Sequence, residues 1–288
     1  MTTPPRVTKP KPPVKSPSEA APENGASAGT TAPDTTSSSA APWSPVSKVA
    51  HFQGLSLALF GPPGVGKTTL LATAPDLLLV NFDPDLTSLQ DRDDVMTWPG
   101  EKQGGVVKSW QQISAFSAQM LRRKHPFKTV AFDTINGMYD LAYQNVTERG
   151  SPNRDGRQIF GEANDLVLGI VKDWCMAARE TGINVVFSAH SEEKQDGENG
   201  PLVLRMSITP GVVKGTYQRV SNVGCLLELP GVGRHRKLYL HNTAKIVAKV
   251  HQPKSGPQLP LEIVDPDLGK MIDHIKGVKP YPKPEVKK

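Results

Sequence analysis

Cysteine is scarce in this sequence: there are two, Cys175 and Cys225, far apart and in apolar contexts. They form no metal-ligand spacing and no disulfide framework, so both are expected as core residues in a reducing cytoplasm. No stretch is long and apolar enough to span a membrane. The N-terminal stretch lacks an apolar h-region, so a signal peptide is not expected. No internal repeat is visible.

Apolar periodicity is also missing between Thr2 and Ala41. The first fifty residues hold ten of the 27 prolines, with Ser, Thr, Ala and Gly filling most other positions. Such a segment cannot bury enough surface to offset its ordering entropy, and residues 1–50 are read as a disordered tail. The net charge of +6 is unevenly placed: residues 1–50 carry five basic and three acidic side chains, and residues 276–288 carry five and one. Residues 51–275 form the near-neutral body. The basic C-terminal tail suits either contact with nucleic acid or a solvated end, and composition does not choose between them.

What the sequence does contain is one organising stretch, Leu55 to Leu71. It reads as a buried strand, a glycine-rich loop and a helix start. Within it Gly61-Pro62-Pro63-Gly64-Val65-Gly66-Lys67-Thr68 fits the phosphate-binding pattern G-x-x-x-x-G-K-[ST], and Thr69 follows. The glycines let the backbone wrap a phosphate chain closely, where a Cβ would obstruct it. Successive N–H groups form an anion nest, and the following helix adds its positive end. Lys67 is placed to reach the β- and γ-phosphates of ATP, and the Thr68 hydroxyl to ligate Mg²⁺.

Further strands are predicted over Leu77–Phe82, Thr129–Asp133 and Asn184–Ala189. Helices are predicted around Trp110–Leu121, over Ile135–Val146 and Phe160–Thr181, with Gly182 as a C′ stop. Two polar loops are expected, Thr147–Gln158 and Ser191–Pro201. Later β-prone runs cover 202–209, 224–229, 237–241 and 245–250. Helices are predicted around Val213–Val220 and Asp267–Ile275. Alternating strands and helices followed by strands indicate a three-layer α/β sandwich, mostly parallel, with a β-rich C-terminal extension. An apolar strand ending in Asp is the second half of a phosphate-loop site, so Asp133 is the candidate second Mg²⁺ ligand. The residue after it is Thr134, where many helicases and AAA-type ATPases place a water-activating Glu. The end of the second strand, read as lying beside the phosphate-loop strand, offers Asp83 and Asp85 instead.

These features resemble the RecA-like P-loop ATPases, most closely the short phage-encoded forms proposed as single-strand annealing or recombination proteins. The resemblance covers roughly Gly54 to Ile275. It rests on GKTTLLATAPDLLLVNFDPDLTSL, on TVAFDT and on VVFSAH. It implies that Asp85 occupies the family's catalytic Glu position and that His190 takes the place of the γ-phosphate sensor. It also implies that Thr147–Gln158, with Arg149, Arg154 and Arg157, and about Ser191–Lys214 contact single-stranded DNA. The second of these begins acidic, with Glu192, Glu193, Asp196 and Glu198 against Lys194, Arg205 and Lys214, and neither loop interleaves aromatics. Lys245 and Lys249 resemble the basic element that such ATPases lend to a neighbouring subunit. The implied function is slow Mg²⁺-dependent ATP hydrolysis coupled to single-stranded DNA binding, with annealing or recombination. A cytoplasmic homo-oligomer, ring or filament, is implied, with a single-strand-binding protein as a candidate partner. A DNA motor of helicase or packaging type, and a nucleotide-switched interaction module, are the alternatives.

Overall fold

The computed structural model describes residues 54–150, 155–195, 200–231, 235–252 and 258–282. The expected N-terminal tail, Arg154, Asp196, Glu198 and the last six residues of the basic tail lie outside the described residues. The elements, in chain order, are β1 (Ser56–Gly61), α1 (Lys67–Leu71), β2 (Leu77–Asn81), β3 (Met96–Trp98), α2 (Trp110–Arg122), β4 (Thr129–Asp133), α3 (Ile135–Arg149), α4 (Gly156–Thr181), β5 (Asn184–Gln195), β6 (Leu202–Met206), α5 (Pro210–Arg219), β7 (Asn222–Glu228), β8 (Arg236–Tyr239), β9 (Glu262–Val264) and α6 (Leu268–Ile275).

The central strands are apolar and buried along their length, as parallel strands covered on both faces must be. The sheet order is β3-β2-β4-β5-β1-β7-β8-β9. Pairing is parallel from β3 to β7 and antiparallel at β8 and β9. Alternation along each strand feeds two cores. Ala58, Phe60, Phe132 and Phe187 pack with α2, α3 and α4 on one face. Leu57, Leu59, Ala131 and Val186 pack with α1 and α6 on the other. Phe132 stacks on Phe187 at 5.1 Å and meets Trp174 edge-on at 5.5 Å. The expected mostly parallel three-layer α/β sandwich with a β-rich C-terminal extension is what forms.

Four local expectations are corrected. First, β2 is not beside β1, because β4 and β5 stand between them. Second, β5 does not end at His190 but runs to Gln195 and pairs antiparallel with β6, so Ser191–Gln195 is a hairpin arm and not a loop. Its polar residues are tolerated because this arm has left the covered sheet. Third, the loop expected over Thr147–Gln158 is shorter, since α3 runs to Arg149 and α4 begins at Gly156 under an Asp155 cap. Fourth, the run 245–250 is no strand: it makes isolated bridges, Leu204 to Ile246 and Val223 to Lys249. It crosses from the edge of β6 to β7 and meets each too briefly for a ladder. Gly182, at φ 79°, terminates α4 as expected.

Candidate nucleotide site

The site lies at the carboxyl ends of β1, β4 and β5, where the parallel strands hand over to loops. Gly61 ends β1 and pairs with His190 of β5. The loop that follows turns through Gly66, whose φ of 89° is left-handed and favours glycine, before α1 opens at Lys67. Lys67 is buried, and its Nζ donates to the carbonyls of Gly61 at 3.0 Å and Pro62 at 2.9 Å. Burial lowers the Lys67 pKa, and the nearby Asp133 carboxylate opposes that shift.

Asp133 is buried at the end of β4. A carboxylate in that position needs partners, and it has two. Thr68 Oγ1 donates to Oδ2 at 2.7 Å, and Ser188 Oγ of β5 donates to Oδ1. A threonine hydroxyl and a carboxylate form a hard-oxygen pair of the kind that holds Mg²⁺ jointly with phosphate and water. Among the described residues no cluster of three or more His, Cys, Asp or Glu could hold a metal.

His190 sits among these charges. Burial lowers its pKa, the Lys67 charge lowers it further, and Asp133 and Asp83 oppose the shift. Its backbone N donates to Asn136 Oδ1 at 3.0 Å, and its carbonyl accepts from Ser207 N at 2.8 Å. Asn136 Nδ2 also donates to the Ser207 carbonyl. The ring Nδ1 is buried without a hydrogen-bond partner.

Lys67, Thr68, Asp133 and His190 are therefore brought together. Both candidate bases are exposed, and Asp83 Oδ1 accepts from the Asp85 N–H at 3.0 Å. The Asp83 carboxylate acts on His190. Asp85 is exposed, and its Oδ1 accepts from the Thr87 N–H at 2.9 Å and from the Thr87 hydroxyl. That bond to the Thr87 hydroxyl lowers the Asp85 pKa. Lys245 is exposed, and burial lowers the pKa of Lys249. Cys225, one strand over from Phe60, is inert, its thiol pushed up to about 12 by burial.

Two residues at the site carried no sequence signal strong enough to find them. Ser188 is two positions before His190, on the same alternation of β5, and only the strand order shows that it meets Asp133. Arg236 opens β8, and its guanidinium lies against Gly66.

Away from the strands, Tyr143 of α3 and Phe160 of α4 lie 5.1 Å apart, and Phe160 is 46% exposed. Arg149 and Arg157, at the facing ends of the same helices, are exposed. Among the described residues no helix is long and apolar enough to cross a membrane.

No curated protein matches this chain. Among solved structures it is similar to the RadB recombinase, at 18% identity and a TM-score of 0.39, over 66% of this chain and 81% of that one. A family model described as an AAA domain matches residues 53–250, and the chain belongs to that family.

Proposed function

We propose that this chain is a Mg²⁺-dependent ATP-binding protein that hydrolyses ATP slowly and binds single-stranded DNA under nucleotide control, in annealing or recombination. The observation that carries the nucleotide reading is the convergence of Lys67, Thr68 and Asp133 below an intact phosphate loop. Thr68 and Asp133 would hold Mg²⁺, which supplies charge neutralisation along the phosphates. Lys67 is pre-aimed: its ammonium rests on the Gly61 and Pro62 carbonyls of the loop itself.

Slow turnover fits the base. Thr134 follows Asp133, so the water-activating carboxylate comes from the end of β2, which β4 and β5 separate from β1. Of the two exposed carboxylates, Asp83 is favoured because its charge acts on His190, with its Oδ1 accepting from the Asp85 N–H, while Asp85 is held by Thr87.

His190 is the reading's link to DNA. Its backbone bonds tie it to Asn136 and to Ser207, which follows the β5–β6 hairpin. A phosphate-dependent shift of His190 would move that hairpin as a unit. The exposed Phe160, backed by Tyr143, supports base stacking, and Arg149 and Arg157 support phosphate contact. The hairpin offers less, since Arg205 is paired to Glu192 at 3.3 Å. Protomers would assemble as a ring or filament on the DNA.

The test is steady-state ATP turnover of the full chain with and without a single-stranded oligonucleotide, beside Lys67→Ala. Slow turnover that DNA stimulates and that Lys67→Ala abolishes supports the proposal. Turnover indifferent to DNA would leave a nucleotide-switched module, and fast turnover coupled to translocation would make it a motor.

A further inference from the structure

We propose that Arg236 is a ligand for the α- and β-phosphates of the bound nucleotide, supplied by the same chain from the antiparallel edge of the sheet. This rests on the nucleotide reading above and adds a residue to it.

The placement comes from topology. Glu228 and Arg236 are cross-strand partners at the end of β7 and the start of β8. Because β7 pairs with β1, that corner overhangs the phosphate loop. The Arg236 backbone is pinned there. Its N–H donates to Asp265 Oδ1 at 3.0 Å, and its carbonyl accepts from the Asp265 N–H at 2.7 Å.

The guanidinium lies directly on Gly66. A Cβ built on Gly66 would stand 2.3 Å from Arg236 Cζ and 2.6 Å from each terminal nitrogen. Among the described residues the guanidinium makes no hydrogen bond or ion pair, although it carries five donors. One cavity is lined by Pro62, Pro63, Gly64, Val65, Glu228 and Arg236. A planar donor fork with unmet donors, set against a loop whose N–H groups form an anion nest, is matched to a shared phosphate.

Glu228 faces the same cavity and would by itself repel a polyphosphate. Arg236, opposite it, offsets that charge. The contact falls on the α- and β-phosphates because Gly66 precedes Lys67, whose side chain reaches toward β and γ. ADP and ATP therefore share it.

The experiment is equilibrium binding of fluorescent N-methylanthraniloyl ADP and ATP to the full chain with Mg²⁺. Wild type, Arg236→Ala, Arg236→Gln and Arg236→Lys are compared, with thermal unfolding measured without nucleotide. Both dissociation constants should rise about tenfold in the Ala and Gln variants, as loss of one charge-assisted contact implies. Arg236→Lys should recover part of the loss, and unfolding without nucleotide should not move. If Arg236→Ala does not fold, Arg236→Gln, which keeps the stem, carries the comparison. Unchanged affinity in Arg236→Gln, or weakening confined to ATP, overturns the assignment while leaving the nucleotide reading intact. Binding of neither nucleotide by the wild type would overturn that reading and this inference together.

Discussion

Thr68 Oγ1 donates to Asp133 Oδ2 across 2.7 Å, joining the first turn of α1 to the end of β4 although β5 lies between β4 and β1 in the sheet. The bond places the two expected Mg²⁺ ligands on one point. Asp133→Asn keeps the size and removes the charge, so it should cut ATP turnover at least about a hundredfold, on the scale of losing a charge-stabilising group. The Mg²⁺ concentration needed for half-maximal nucleotide binding should rise. A magnesium titration of nucleotide fluorescence checks this, and an unchanged midpoint would contradict the metal role.

The two carboxylates at the end of β2 should separate. Asp83→Asn is expected to slow turnover by about a hundredfold, the lower range for a lost general base, with ATP affinity kept. Asp85→Asn keeps an oxygen that can accept from Thr87, so stability should stay close to wild type and turnover within about threefold of it. Single-turnover kinetics of both variants decide it. A selective defect in Asp85→Asn would return the role to the position implied by the family resemblance.

His190 carries a pH signature. Its folded-state pKa is lowered, first by burial and then by Lys67. An unfolded histidine titrates near about 6.5. As pH falls through that value the unfolded chain takes up a proton that the folded ring resists. Stability is therefore lost on acidification until the folded ring itself titrates. Thermal unfolding without nucleotide at pH 7.5 and pH 5.5 should show a larger drop for wild type than for His190→Gln. Equal drops would mean that the ring is not held neutral by its site.

Phe160 is an exposed aromatic that α4 does not need for its core. Phe160→Ala should weaken single-stranded DNA binding by about 1–3 kcal/mol, the range for one stacked base. Unfolding temperature should change little. Arg157→Ala should weaken binding and flatten its salt dependence. Anisotropy titrations at two salt concentrations read both effects.

Much of this site was legible in the sequence. The phosphate loop is contiguous, and the strand ending at Asp133 keeps an apolar run with a charged stop, so Lys67, Thr68 and Asp133 could be named directly. The strand boundaries of β4 and the C′ role of Gly182 followed from the same local chemistry. What was not legible is long-range. Ser188 is an ordinary strand serine until β5 is known to lie beside β4. Arg236 is an ordinary late-strand arginine until β8 is folded against β7. The continuation of β5 past His190 was hidden by its polar arm, because a hairpin outside the covered sheet has no apolar periodicity to read. The run 245–250 failed in the opposite way: its alternating residues have strand propensity, but two neighbours divide it between them.

The central claim is that this nucleotide site controls single-stranded DNA binding. Fluorescence anisotropy of a labelled single-stranded oligonucleotide tests it directly, with ATP, ADP or no nucleotide, for wild type and Lys67→Ala. Salt-sensitive binding that tightens with ATP, and loses that response in Lys67→Ala, is the predicted result. Absence of DNA binding in every nucleotide state, or binding that ignores nucleotide in both proteins, would contradict it.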